Sequence, residues 1–184
     1  MRTLFLISGL CGALILSSCR RHHDDDATAE KKDTTQLLYS EFYDFESLTD
    51  GRISATKAVS GKNSAVVNNE IEYGFGFQKR FKDISSFGSI QEIHVSFKCW
   101  MDKKYADPVF VISVDDSTET KNIMWEGQPL VCQKEGAWND ITYSFKMNPD
   151  FIKPQSVLKL YVWNKGKNTF YYDDLAFDFV KLKK

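Results

Sequence analysis

The chain has 184 residues, 42% of them hydrophobic and 14% aromatic, and a formal net charge of −1. A charge so near zero gives no basis for nucleic-acid binding, which needs a concentrated basic patch. Beyond its N-terminal segment the chain is the size of one domain, long enough for a real core.

Met1-Arg2-Thr3 carries one positive charge, and Leu4 through Leu16 is apolar apart from Ser8, Gly9 and Gly12. Such a run suits a signal-peptide core and falls short of the roughly 20 residues a membrane-crossing helix needs. It ends in Leu16-Ser17-Ser18-Cys19, which resembles the lipobox of bacterial lipoproteins. The resemblance implies that residues 1–18 are removed and that Cys19 becomes the lipid-bearing first residue. More than one acyl chain, at about 0.8 kcal/mol per buried methylene, gives a stable membrane anchor. Arg20, rather than Asp, follows the cysteine. This argues for the outer membrane and leaves the periplasmic and cell-surface faces both open. Signal removal takes one arginine and no acid, leaving 23 basic against 25 acidic residues.

Residues 19–37 read as a flexible tether, polar and without apolar periodicity, unable to bury enough surface to offset their ordering entropy. The acidic run Asp24-Asp25-Asp26 just after Cys19 is similar to the surface-export signals of Bacteroidota lipoproteins, and is read equally well as a solvated spacer.

From residue 38 to residue 184, stretches of period two recur between clusters of Gly, Asn, Asp and Lys. That pattern predicts an all-β fold, a two-sheet antiparallel β-sandwich of about eight strands. The expected strands are Leu38–Phe45, Ser64–Val67, Tyr73–Phe81, Ile93–Met101, Pro108–Val114, Asp140–Met147, Leu158–Trp163 and Thr169–Val180. In the clearest, Ile93, Val95, Phe97, Cys99 and Met101 point one way and His94, Ser96, Lys98 and Trp100 the other. Trp125-Glu126-Gly127 reads as a loop that could shape the rim of a binding site. Cys99 and Cys132 are the cysteines of this domain; export permits a disulfide, and spacing alone leaves that open against two buried thiols.

Three segments resemble galactose-binding-like jelly rolls, especially the carbohydrate-binding modules appended to glycoside hydrolases. They are Tyr43-Asp44-Phe45-Glu46-Ser47, Val59 to Val67 with its Gly61-Lys62-Asn63-Ser64 turn, and Lys159 to Asn164 with Tyr171-Tyr172-Asp173-Asp174-Leu175. The resemblance implies a structural calcium where the first and last strands meet. Ca²⁺ takes about six to eight oxygens; Glu46 and Asp173 would supply carboxylates, and the turn from Ser60 to Asn63 carbonyls. Asp173 is in phase with Leu175, Phe177 and Phe179 and is expected to point inward, where a carboxylate needs pairing, a metal or backbone N–H partners.

Trp100, Trp138, Tyr161, Trp163 and Tyr172 fall in the phase opposite to the core residues, on an expected outer face. Exposed rings stack on the C–H faces of sugars while polar neighbours take hydroxyls; Lys98, Asp140, Lys159 and Asn164 are the candidate partners. The same rings would serve a cover for loops or a second small core equally well.

Nothing favours catalysis. His94 is the one histidine beyond the tether, sits mid-strand, and has no Gly-x-Ser-x-Gly elbow to serve. Asp115-Asp116 reads as a turn, and Glu41, Asp44 and Glu46 lack the alternation that would put paired acids on one strand face. The sequence therefore predicts a lipid-anchored, non-catalytic protein that binds a glycan or polysaccharide. A structural or adhesin-like protein-interaction module is the alternative, and a glycosidase or lyase a third reading.

Overall fold

The computed structural model describes residues 34–105 and 107–183. The signal segment, Cys19 and most of the tether lie outside the described residues.

Ten strands run in chain order: β1 (Thr35–Tyr43), β2 (Ile53–Ser54), β3 (Ser64–Val67), β4 (Phe77–Arg80), β5 (Glu92–Met101), β6 (Pro108–Asp115), β7 (Asn122–Pro129), β8 (Ala137–Lys146), β9 (Val157–Asn164) and β10 (Phe170–Leu182). They form two antiparallel sheets. One has the order β2-β3-β10-β5-β8, with β1 also pairing β10; the other has the order β4-β9-β6-β7. This is the two-sheet sandwich that the alternation predicts, with β2 and β7 added to the expected eight strands. The first strand opens at Thr35, inside the stretch read as tether. Residues 73–81 shrink to β4 and an isolated bridge from Tyr73 to Trp163, because Gly74 and Gly76 lack side chains to pack. Trp125-Glu126-Gly127 lies in β7 rather than in a loop.

The sheets enclose an aromatic core. Phe45, Phe77, Phe81, Phe97, Phe110, Phe145, Phe170, Tyr172, Phe177 and Phe179 are buried, and many meet edge to face, as Phe45 does with Tyr172 at 5.9 Å and 88°. β1 and β4 are the facing sheet edges at one side. There Glu41 accepts hydrogen bonds from Tyr43 at 2.8 Å, from Tyr39 and from Lys79, so a charged clasp closes the gap.

The last strand corrects one reading. Between Asp173 and Ala176 the register on β5 shifts, and Asp174 takes φ 52°, a conformation Asp tolerates better than most residues. The extra residue reverses the alternation. Tyr172, expected outside with Trp100, turns inward and is fully buried, its hydroxyl donating to the Phe75 carbonyl at 2.7 Å. Asp173, expected inward, pairs across from Lys98, a residue of the outer face, and is covered there by the segment before β3.

Candidate glycan-binding face

The outward side chains of the four-stranded sheet come from alternate positions of β9, β6 and β7. Tyr161 pairs with Val111 and Val111 with Gly127; Trp163 pairs with Val109; Ser113 pairs with Lys159 and Trp125; Tyr73 bridges Trp163. Four rings therefore share one face. Tyr73 and Trp163 are nearly parallel with centroids 6.4 Å apart, Tyr73 meets Tyr161 edge to face at 5.9 Å, and Trp125 stands at 86° to Trp163 at 6.3 Å. The rings cover Val111 and Ser113, which are buried although they point away from the inter-sheet core.

Local sequence explains how each ring is held. Gly127 lets the Trp125 indole lie along its own strand, since a Cβ there would come within 2.6 Å of Cη2. Gly74 and Gly76 let their segment press against the sandwich: a Cβ on Gly76 would sit 2.0 Å from the Leu160 carbonyl oxygen, and one on Gly74 2.4 Å from the Tyr172 hydroxyl. The Trp163 indole N–H donates to Glu72 at 3.0 Å. Tyr73 and Trp125 remain 53% and 51% exposed, so ring surface is left for a guest.

Beside the rings lies an open cleft of about 340 Å³, lined by Arg52, Tyr73, Gln78, Asn122, Lys159 and Tyr161 among others. Its cations are fixed. Arg52 donates from Nε and Nη2 to the two oxygens of Asp50, at 2.8 and 2.6 Å, and lies over the Phe75 ring. The Arg52 hydrogen bond holds the Asp50 carboxyl down at about 2. Lys159 reaches Asp115 at 2.8 Å and Glu119 at 3.2 Å. Burial alone would lower the Lys159 pKa, but the two carboxylates outweigh it and raise it. Burial likewise pushes the Tyr161 hydroxyl up, against hydrogen bonds from Trp125 and Ser113. Chemically the face offers flat apolar rings beside amide, hydroxyl and guanidinium groups on rigid strands, the makeup of a small-ligand site.

The expected site residues divide between two places. Tyr161 and Trp163 belong to this face, and Lys159 lines its cleft. Trp100, Trp138 and Lys98 stand on the outer face of the six-stranded sheet, where Tyr171, Trp100 and Trp138 pair in one row across β10, β5 and β8. The expected single platform is thus two separate groups. Asn164 is no ligand contact: it is fully buried, its amide donates to the Asn68 and Asn168 carbonyls at 3.0 and 2.8 Å, and its oxygen accepts from the Asn168 N–H. It ties together the two loops beside Tyr73. Tyr73 escaped the sequence reading because the glycines after it break alternation; Trp125, expected in a loop that could shape the rim, lies in β7, whose alternation is weak.

The carboxylates expected to bind calcium are engaged otherwise. Glu46 accepts from the Lys62 and Asn63 N–H groups at 2.9 and 2.8 Å. Asp173 accepts from Val59 at 2.8 Å, Ser60 at 3.4 Å and Asp174 at 2.8 Å. The Ser60 to Asn63 turn thus presents N–H donors to these oxygens, where a calcium shell needs its carbonyls. Among the described residues no three His, Cys, Asp or Glu side chains gather around a common point. The residues present do not fit the metal. Burial raises the Asp173 pKa, with the N–H donors working against it.

No protein-family model matches the chain, and no curated protein matches it by sequence. Solved structures do resemble it. The CBM22-2 xylan-binding domain of Paenibacillus barcinonensis Xyn10C superposes with a TM-score of 0.53 at 15% identity, covering 76% of this chain and 98% of that one. The CBM22-1–CBM22-2 tandem domain of the same protein gives 0.51 at 16%, covering 82% and 47%. At such identities the likeness is one of fold: the chain has the β-sandwich architecture of carbohydrate-binding modules.

Proposed function

We propose that this protein is a lipid-anchored, non-catalytic module of the outer membrane that binds a glycan on the outer face of its four-stranded sheet. The observation that carries the reading is the gathering of Tyr73, Tyr161, Trp163 and Trp125 beside a cleft with fixed polar groups. Sugar rings stack their C–H faces on such side chains, while Arg52, Gln78 and Asn122, oriented by Asp50, Glu119 and Asp115, line the cleft where hydroxyls would lie. The xylan-binding domains that share the fold support a polysaccharide as the class of ligand. The anchor rests on the Leu16–Cys19 lipobox alone.

Affinity electrophoresis against a panel of soluble polysaccharides, xylan included, tests the binding. Retardation by at least one glycan, lost in Trp163→Ala and Tyr73→Ala, is the expected result; no retardation by any of them removes the reading. Labelled palmitate incorporation that disappears in Cys19→Ala tests the anchor separately.

A second reading draws on Leu37 and Phe42, both 58% exposed on β1, a strand that among the described residues pairs with β10 alone. An exposed edge bearing apolar side chains suits a protein partner. Crosslinking to an envelope protein that fails in Phe42→Ser, in a chain that binds no glycan, would favour it.

A further inference from the structure

Cys99 and Cys132 are the cysteines of the described domain, and in this structure both are free, buried thiols. One lies in mid-strand on β5 and the other in the connection from β7 to β8, 33 residues apart, yet the fold brings them together. The Cys132 Sγ lies 3.9 Å from the Cys99 carbonyl oxygen, and each thiol shifts the pKa of the other. Both are buried. Burial by itself asks only for a small apolar side chain, which alanine or valine supplies. Two thiols meeting in a domain with no other cysteine point to the chemistry a pair can perform. No His, Asp or Glu joins them in a cluster that could hold a metal, among the described residues.

We propose that Cys99 and Cys132 are a modification site, joined in the oxidised protein as a disulfide that staples β5 of the six-stranded sheet to the segment leaving β7 of the other. The oxidant is a disulfide of low-molecular-weight or protein thiols. The Cys132 thiolate attacks one of its sulfurs and expels one thiolate, leaving a mixed disulfide. The Cys99 thiolate then attacks the Cys132 sulfur and expels the second. The two protons released by the cysteines end on the two departing thiolates, so two electrons pass from the protein to the oxidant. Cys132, on a connection rather than in a strand, is the reachable first attacker before folding closes over it. Burial pushes the Cys99 thiol up, and its contact with Cys99 lowers that of Cys132, which fits this order. The bond closes a long loop, and it restrains β7, an edge strand that pairs only with β6 and carries Trp125.

The full chain, unfolded and refolded in a mixture of oxidised and reduced glutathione, is alkylated under denaturing conditions and mapped by mass spectrometry without reduction. The expected result is a peptide pair joined through Cys99 and Cys132, with neither linked to Cys11 or Cys19, and a melting temperature that falls on the order of 10 °C when dithiothreitol is added. The Cys99→Ala/Cys132→Ala protein should fold and lose that dependence on reductant. Recovery of both cysteines as alkylated thiols from folded protein overturns the proposal, as does a reductant-induced shift of equal size in the double variant. Neither readout uses a glycan or the lipid anchor, so failure here leaves the binding face untouched.

Discussion

The two outer faces of the sandwich both carry rows of aromatic rings, and they differ in how much ring surface is left exposed. On the six-stranded sheet, the Trp100 ring has the Lys57 ammonium 4.2 Å from its centroid, its N–H donates to Asp102 at 3.1 Å, and Trp138 meets it at 68°. Lys98 is spent on Asp140, and that hydrogen bond raises the Lys98 pKa. The segment before β3 folds down onto the same face, with Ser60 bonded to Asp174 and its N–H shared with Asp173. On the four-stranded sheet, Tyr73 and Trp125 are half exposed, and Tyr73 borders a cleft. Trp163 has partners too, with the Lys165 ammonium 5.5 Å from its centroid and Glu72 on its N–H; what sets its face apart is the exposure of its neighbours Tyr73 and Trp125. Strand phase alone cannot tell the two faces apart.

The largest test of that contrast is binding. Removing Tyr73 or Trp163 deletes stacking surface worth about 1–2 kcal/mol, and each alanine variant should lose about tenfold or more in affinity for the retained glycan. Trp100→Ala and Trp138→Ala should bind within about twofold of wild type while melting at lower temperature. Equal losses from the two sets, measured by isothermal titration, would erase the difference between the faces.

Comparable in size are substitutions in the support beneath the exposed rings. Gly74→Ala drives a methyl group into the Tyr172 hydroxyl, and Asn164→Ala strands the carbonyls of Asn68 and Asn168. Each should cost about 1–3 kcal/mol in denaturant unfolding. A neutral outcome for both would mean that neither contact pins the segment carrying Tyr73.

Much of this was legible in the sequence. The inward set Ile93, Val95, Phe97, Cys99 and Met101 is buried as the alternation predicts, and Tyr161 and Trp163 face outward. The errors have local physical causes. One bulge residue, Asp174, inverts Tyr172 and Asp173 together, since a period of two offers no protection against a single insertion. Asn164 looks polar and available in the sequence, yet its amide is the knot between two loops. The division of the rings between two sheets could not be read at all, because alternation gives the face of a strand and says nothing of which sheet the strand joins.

A smaller effect separates the edges of the sandwich from its faces. Burial alone would raise the Glu41 pKa, but hydrogen bonds from Lys79, Tyr39 and Tyr43 outweigh it and leave it lowered. A carboxyl lowered on folding adds stability above its unfolded pKa, near 4.3 for glutamate, and loses it as pH falls through the folded value. Wild type should therefore lose stability below about pH 4 faster than Glu41→Gln, with about 1 kcal/mol between them at neutral pH. Parallel acid curves for the two proteins would show that the clasp between β1 and β4 contributes nothing.

The smallest expected effect bears on the loop that closes the six-stranded face. If Glu46 and Asp173 held a calcium ion with the Ser60 to Asn63 turn, chelation would strip the site and lower the melting temperature, because a ligand bound to the native state stabilises it by mass action. The turn instead gives its N–H groups to both carboxylates, and charge-assisted bonds of that kind need no cation to balance them. Melting curves in millimolar calcium and in excess chelator should coincide. Glu46→Gln should be the sensitive variant, since it weakens the acceptor at Lys62 and Asn63 and loosens the segment that places Lys57 over Trp100. A melting temperature that rises with added calcium in wild type and not in Glu46→Gln would restore the metal and make that covering segment an ion-dependent one.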